Sequence, residues 1–295
     1  MTGTDPAPAR PPQVLSIQSS VAYGHAGNSA AVFPLQRLGV DVWPVYTVHF
    51  SNHTGYGAWK GPVLPAADVA AVIDGIGDLD VLGDISAVLS GYQGAEEVGQ
   101  VILDTVARVR AANPSAVYCC DPVMGDVGRG FFVREGIPEF MRDSVVPAAD
   151  IVTPNQFELE YLVPGHSVLT TGDLLDAITN LRALGPSTVL VTSVRVDGIA
   201  LDEVGLVAAD DEGAWLVKTP LLPISVNGAG DATAAIFLAH LLRGDDAPTA
   251  LAKVASSVFA ILQNTLDLDR REIALVASGE QIADPACEFE VRQLA

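Results

Sequence analysis

Apolar and polar positions along this chain follow two alternating rhythms. VLSIQS (14–19) is a short apolar run interrupted by small polar residues, as a buried strand reads, and a glycine-containing turn follows it. From Asn28 to Leu38 the apolar spacing becomes helical, and Gly39 ends it. VDVWPVYTV (40–48) reads as a second strand, with Pro44 placing it at an edge or a bend. A helix over 66–76, a strand near 87–91 and a long helix from Glu96 to Ala112 come next. Strands ending in polar residues are expected at 116–123 and 149–155, then a helix from Gln156 to Leu162 and a strand at 187–194. Strands alternating with helices predict right-handed βαβ units, hence an α/β fold with a mostly parallel central sheet flanked by helices. The runs 198–210 and 213–220 break the alternation and read as a hairpin turning at Asp211-Glu212-Gly213. Closing helices are expected over roughly 230–243 and 247–266.

Between these elements, FSNHTGYGAWKG (50–61) has no period and mixes aromatics, glycines and hydrogen-bonding groups, as a binding loop or flap does. GDVGRGFF (125–132), with three glycines and Arg129, reads as a second lid. The N-terminal MTGTDPAPARPP (1–12) lacks the apolar core of a signal peptide and reads as a loose tail. No repeat or linker interrupts 13–290, so residues 13–295 are expected to form a single domain.

Charge narrows the function classes. Sixteen basic residues against 36 acidic ones give a net charge of −20 over 295 residues, a surface that repels phosphate backbones and anionic lipid. Neither nucleic acid nor membrane is therefore an expected partner. The three cysteines include an adjacent pair, Cys119 and Cys120, with no metal-binding spacing, which fits a reduced intracellular, cytoplasmic setting. Lying inside a strand, that pair reads as packing residues, and His240 on an apolar helix reads as structural.

Polar residues gather where the strands stop: Ser19, Asp121, Thr153, Asn155, Thr192 and Asp231. In an open parallel sheet that edge is where ligands bind. Asp231 follows Gly228-Ala229-Gly230 at the mouth of an apolar helix, where free amides and the helix dipole form an anion hole. Phosphoryl transfer needs such a hole, and a carboxylate to take the proton of the attacking hydroxyl. The bland alternative is a glycine-rich turn with Asp231 as a cap. TPNQFELE (153–160) sets Asn155 and Glu158 on one face of a first helical turn, where an acid could hold water around Mg²⁺ or simply cap the helix.

These stretches together resemble the ribokinase-like superfamily of ATP-dependent small-molecule kinases. IQSSVAYGHAGNSAAVFPLQRLG (17–39), VHFSNHTGYGAWKG (48–61), LSGY (89–92), CDPVMGD (120–126) and IVTPNQFELE (151–160) are similar to pyridoxal kinases within it. The resemblance implies phosphorylation of the 5′-hydroxymethyl group of pyridoxal, with Asp231 as base and Gly228, Ala229 and Gly230 holding the moving phosphoryl. It implies a ring pocket made by Ser19, Phe50, Thr54 and Tyr92. Asp121, Asn155 and Glu158 would organise Mg²⁺ and the triphosphate of ATP, with Thr153 and Asp121 near a monovalent cation such as K⁺. Thr192 and Ser193 would meet nucleotide phosphates, and the hairpin and last helices would border the adenine. A homodimer is implied as well. Pyridoxal kinases commonly carry Gln where this chain has His49 and His where it has Ser20, and many carry Thr or Val in place of Ala229. The rival readings are a kinase for another hydroxymethyl compound, such as hydroxymethylpyrimidine, and a non-catalytic carrier of pyridoxal phosphate.

Overall fold

The computed structural model describes residues 10–165 and 167–295. Of the expected tail, residues 1–9 lie outside the described residues, and Arg10 to Pro12 are irregular. The strands are β1 (Gln13–Val21), β2 (Asp41–Phe50), β3 (Ala87–Ser90), β4 (Val117–Cys120), β5 (Gly125–Asp126), β6 (Gly130–Phe131), β7 (Ile151–Val152), β8 (Thr188–Val194), β9 (Glu203–Asp210), β10 (Gly213–Pro220) and β11 (Val291–Gln293). The helices are α1 (Asn28–Arg37), α2 (Ala66–Gly77), α3 (Glu96–Ala112), α4 (Ile137–Phe140), α5 (Val146–Ala148), α6 (Gln156–Leu162), α7 (Thr171–Arg182), α8 (Ala229–Leu242), α9 (Ala247–Asp267) and α10 (Gly279–Ala283).

Nine strands form one sheet in the order β11-β10-β9-β8-β7-β4-β3-β1-β2, parallel from β2 to β8 and antiparallel beyond. The β9–β10 hairpin thus extends the main sheet, and it is narrower than the sequence suggests, residues 198–202 being turn. Pro44 lies in β2, the edge strand, where a missing N–H breaks no ladder. Part of that edge is covered by the chain that follows the flap: the amides of His49 and Ser51 donate to the carbonyls of Pro62 and Lys60 at 3.0 and 2.7 Å. β1 lies between β2 and β3, so the winding direction reverses there, and ligands bind at such reversals.

Alternate strand residues feed two cores. One face buries Leu15, Ile17, Val88, Cys120 and Val152 against α2, α3, α6 and α7; the other buries Val14, Leu89, Cys119 and Ile151 against α1, α8 and α9. The adjacent cysteines therefore pack into opposite layers, as the period of two requires. Helix α3 shows how little it takes to position an element. Glu96 and Glu97 favour its N-terminus, and Val98, Ile102, Val106 and Val109 supply one buried stripe, each such side chain contributing about 1.5–3 kcal/mol. Helix α8 has no such stripe because it is enclosed by α1, α9 and the sheet. Among the described residues, no helix is long and apolar enough to cross a membrane.

Candidate active site

The strand ends deliver four predicted residues to one cleft. At the end of β1 the pairing with β2 slips, so that Thr47 and Val48 together oppose Ser19. A second slip at the end of β8 sets Thr192 and Ser193 against Leu206 alone. Bulges of this kind redirect side chains beside functional sites. Ser19 and Thr192 line the cleft, joined by Asp121 after β4 and Thr153 after β7. Ser193 lies on the exposed side of its bulge with φ 56°, outside the lining, so of the Thr192–Ser193 pair only Thr192 reaches the cavity. The cleft has a volume of ≈ 190 Å³.

Asn155 and Glu158 form a reciprocal cap on α6. The Asn155 side-chain oxygen accepts from the Glu158 amide at 2.9 Å, and the Glu158 carboxylate accepts from the Asn155 amide at 2.9 Å. Its other oxygen accepts from the amides of Met124 and Gly125 at 2.8 and 3.3 Å, while Asn155 Nδ2 donates to the Gly125 carbonyl at 2.8 Å. Capping and site-building are thus one arrangement, which ties the base of the 125–132 lid to the cleft floor. Burial first, then Asp121, pushes the Glu158 carboxyl well up, against the pull of its three backbone donors.

Helix α8 opens toward the same cleft. Gly228 caps it in the left-handed region at φ 90°, and a Cβ there would lie 2.0 Å from the His25 carbonyl oxygen. Gly230 is different: a Cβ would meet nothing within 4 Å. The first turn therefore presents free amides beside open space, and Asp231 stands in that turn. Burial raises the Asp231 carboxyl, while the Gly27 backbone, its own amide and nearby His53 hold it down.

Asp121 is raised as well. Burial and then Asp231 push it up to about 8, although Thr153 Oγ1 donates to it at 2.8 Å. From the unfolded value of 3.8 to about 8, the ligand-free folded state keeps a proton that the unfolded chain has lost, so stability falls as pH rises through that window. Asp121→Asn is expected to flatten that decline in thermal unfolding of the ligand-free protein. Parallel pH profiles for the two proteins would contradict it.

Walls and lid complete the cavity. Phe50, Thr54 and Tyr92 all line it, and the Phe50 and Trp59 rings meet 5.9 Å apart within the flap. Arg129 reaches across from the lid to donate to Asn227 Oδ1 at 3.2 Å. Neither the β9–β10 hairpin nor helices α9 and α10 contribute to the lining. Asn227 and Val226, which precede the glycines, line the site but carried no readable signal beyond adjacency to GAGD. Glu272 escaped the sequence reading altogether. Buried at 4 % exposure, it bonds His53 Nε2 at 3.0 Å, Tyr56 Oη at 2.7 Å and the His25 amide at 3.0 Å. His25 and His53 thus make hydrogen bonds at the rim, and His240 bonds Asp245 at 2.9 Å far along α8.

The donor set suits a hard cation held largely by other ligands. Asp121 faces the cleft with one oxygen bonded only to Thr153 and no cationic side chain paired to it, and no three His, Cys, Asp or Glu among the described residues cluster closely enough to hold an ion alone. Mg²⁺ characteristically takes one or two carboxylates and completes its shell with water and phosphate.

Known proteins place this geometry. The phosphomethylpyrimidine kinase family model matches residues 82–275. The chain is 62% identical over 283 residues to pyridoxal kinase PdxY of Rubrobacter xylanophilus, covering 96% of this chain and 97% of that one. It is 55% identical over 284 residues to pyridoxal kinase PdxY of Corynebacterium diphtheriae, covering 96% and 99%. Among solved structures, Leishmania donovani pyridoxal kinase with ADP and ginkgotoxin superposes with a TM-score of 0.89 at 30% identity, covering 96% and 99%. A complex of that kinase with ADP and pyridoxine gives 0.89 at 29% identity over the same shares. Sequence, sheet order and cleft agree: the chain belongs to the pyridoxal kinase family, on the ribokinase-like fold.

Proposed function

We propose that this protein transfers the terminal phosphoryl group of ATP to the 5′-hydroxymethyl group of pyridoxal, giving pyridoxal 5′-phosphate and ADP. The observation that carries the reading is that one cleft holds both the Asp231 carboxyl, at a helix mouth with free amides, and an aromatic, hydrogen-bonding flap. Phe50 and Tyr92 enclose a flat heteroaromatic ring, with Ser19 and Thr54 supplying polar contacts to its edge. Asp231 accepts the hydroxyl proton as the oxygen bonds to phosphorus, and the bond from phosphorus to the bridging oxygen breaks, its electron pair leaving with ADP. The amides of Ala229 and Gly230 face the charge that spreads over the transferring oxygens, and Arg129 adds positive charge from the lid.

Asp121 would hold Mg²⁺, with Glu158, which fixes the floor beneath it, reaching the ion through water; bound there, Mg²⁺ would neutralise triphosphate charge. Asp121 and Thr153 are the pair assigned to a monovalent cation such as K⁺. Complexes of the Leishmania relative with ADP and pyridoxine, and with ADP and pyridoxamine, support ATP as co-substrate and more than one vitamer as acceptor. The same reading takes residues 13–295 as one catalytic domain of a cytoplasmic homodimer.

The test is ATP-dependent phosphorylation of pyridoxal, pyridoxine, pyridoxamine and hydroxymethylpyrimidine, with magnesium and potassium present. Turnover of a B6 vitamer in preference to the pyrimidine is expected. Preference for the pyrimidine would transfer the reading to that substrate, and bound vitamer phosphate without turnover would favour a carrier.

A further inference from the structure

The flap that closes over the acceptor is held from a distant part of the chain. Tyr56 belongs to the short 3₁₀ turn Thr54–Tyr56, directly after His53. Its hydroxyl donates to Glu272 Oε1 at 2.7 Å, and His53 Nε2 approaches the same oxygen at 3.0 Å. The neighbouring Arg271 grips the flap from outside: its guanidinium lies 3.7 Å from the Tyr56 ring centroid and donates to the Gly55 carbonyl at 3.2 Å. The Tyr56 ring is therefore fixed at both its hydroxyl and its face.

Glu272 also reaches inward. Its second oxygen accepts from the His25 amide at 3.0 Å, and Gly24 packs so closely that a Cβ there would collide with the carboxylate. The His25 carbonyl in turn abuts Gly228, the cap of the phosphate-facing helix, and Ile273 lies against that same glycine. One three-residue segment, 271–273, thus touches the acceptor flap, the loop after β1 and the helix mouth. A buried acid this far from the transferring atoms would be an expensive way to fill space unless its bonds position something.

Resting on the kinase reading above, we infer that Glu272 is a positioning residue that clamps the acceptor flap and holds its registry with the α8 mouth. Because a carboxylate only accepts, Glu272 makes Nε2 the protonated nitrogen of His53. His53 Nδ1 is buried with no hydrogen-bond partner among the described residues, in a residue that lines the cleft. Arg271 and Glu272 bond the flap directly, and Glu272 meets the α8 mouth only through the His25 backbone, so their loss weakens acceptor binding first.

Glu272→Gln and Arg271→Met separate this from a general loss of structure. Glutamine keeps the volume but turns one acceptor into a donor facing groups that already donate, and Arg271 is exposed, so its replacement spares the core. For each variant, the acceptor KM is expected to rise, roughly tenfold for Glu272→Gln, with kcat and the ATP KM within about twofold of wild type. Amide hydrogen exchange in the ligand-free protein should quicken across 51–57 while the strands keep their protection. An unchanged acceptor KM with unchanged flap exchange would overturn the clamp. So would faster exchange spread evenly over flap and sheet. The exchange experiment needs no turnover: if wild type phosphorylated no vitamer, the kinase reading would fall while flap exchange still decided whether Glu272 holds the flap.

Discussion

Asp231→Asn is expected to lower kcat for vitamer phosphorylation by roughly 10²–10⁴-fold, the range a positioned general base contributes. Asparagine keeps the shape and a hydrogen-bonding head but takes no proton at this pH. Because burial holds the Asp231 carboxyl above its ordinary range, the neutral side chain removes a disfavoured charge, and the variant should fold at least as stably as wild type. ATP binding is expected to persist, since the amides of α8 remain. The wild-type rate should climb with pH through the range in which Asp231 ionises, and the residual rate of the variant should lack that limb. A single-turnover measurement with saturating pyridoxal checks both points. Retention of wild-type kcat would remove Asp231 from the chemistry and return it to the role of a first-turn acid at a helix N-terminus.

Much of this site could be read before any coordinates because its parts are local. GAGD, NxxE and the flap are each contiguous, and the strands that aim them have clear periods. Helices over 96–112 and 156–162 are found where their spacing puts them. Strands predicted at 116–123 and 149–155 shrink to Val117–Cys120 and Ile151–Val152, since Asp121 and Thr153 already belong to the site rather than the ladder. Helix α7 went unread although its signal is local: Thr170 and Asp173 form a reciprocal cap before an apolar stripe of Leu174, Ala177, Ile178 and Leu181. The segment from Ile137 to Ala148 carried no such signal, because Pro138 and Pro147 bracket a π-helical turn that has neither common period. β11 is three residues, too few to show a period, and it pairs with β10 at the sheet edge. Glu272 was unreadable for a further reason: its partners lie 216, 219 and 247 positions away, and nothing local distinguishes it from a surface acid.

The two glycines at the mouth of α8 look alike in sequence, yet the structure gives them different work. Gly228→Ala places a methyl group 2.0 Å from a backbone oxygen that has no rotamer with which to retreat, at a φ of 90° that alanine adopts only under strain. A loss of about 2–4 kcal/mol in unfolding free energy is expected, together with a fall in turnover as the helix mouth shifts from the loop carrying His25. Gly230→Ala meets no protein atom and sits inside a helix, where alanine is favoured over glycine by up to about 1 kcal/mol. That variant should melt no lower than wild type and still lose kcat/KM for ATP by roughly 10²-fold, because the space it fills is where the transferring phosphoryl must approach the amides. Thermal unfolding and steady-state kinetics on the pair separate the two roles. If Gly230→Ala turned over ATP normally, the anion hole would have to lie elsewhere in the cleft. If it melted as low as Gly228→Ala, both glycines would serve the fold, and Asp231 would stand beside an ordinary helix entrance.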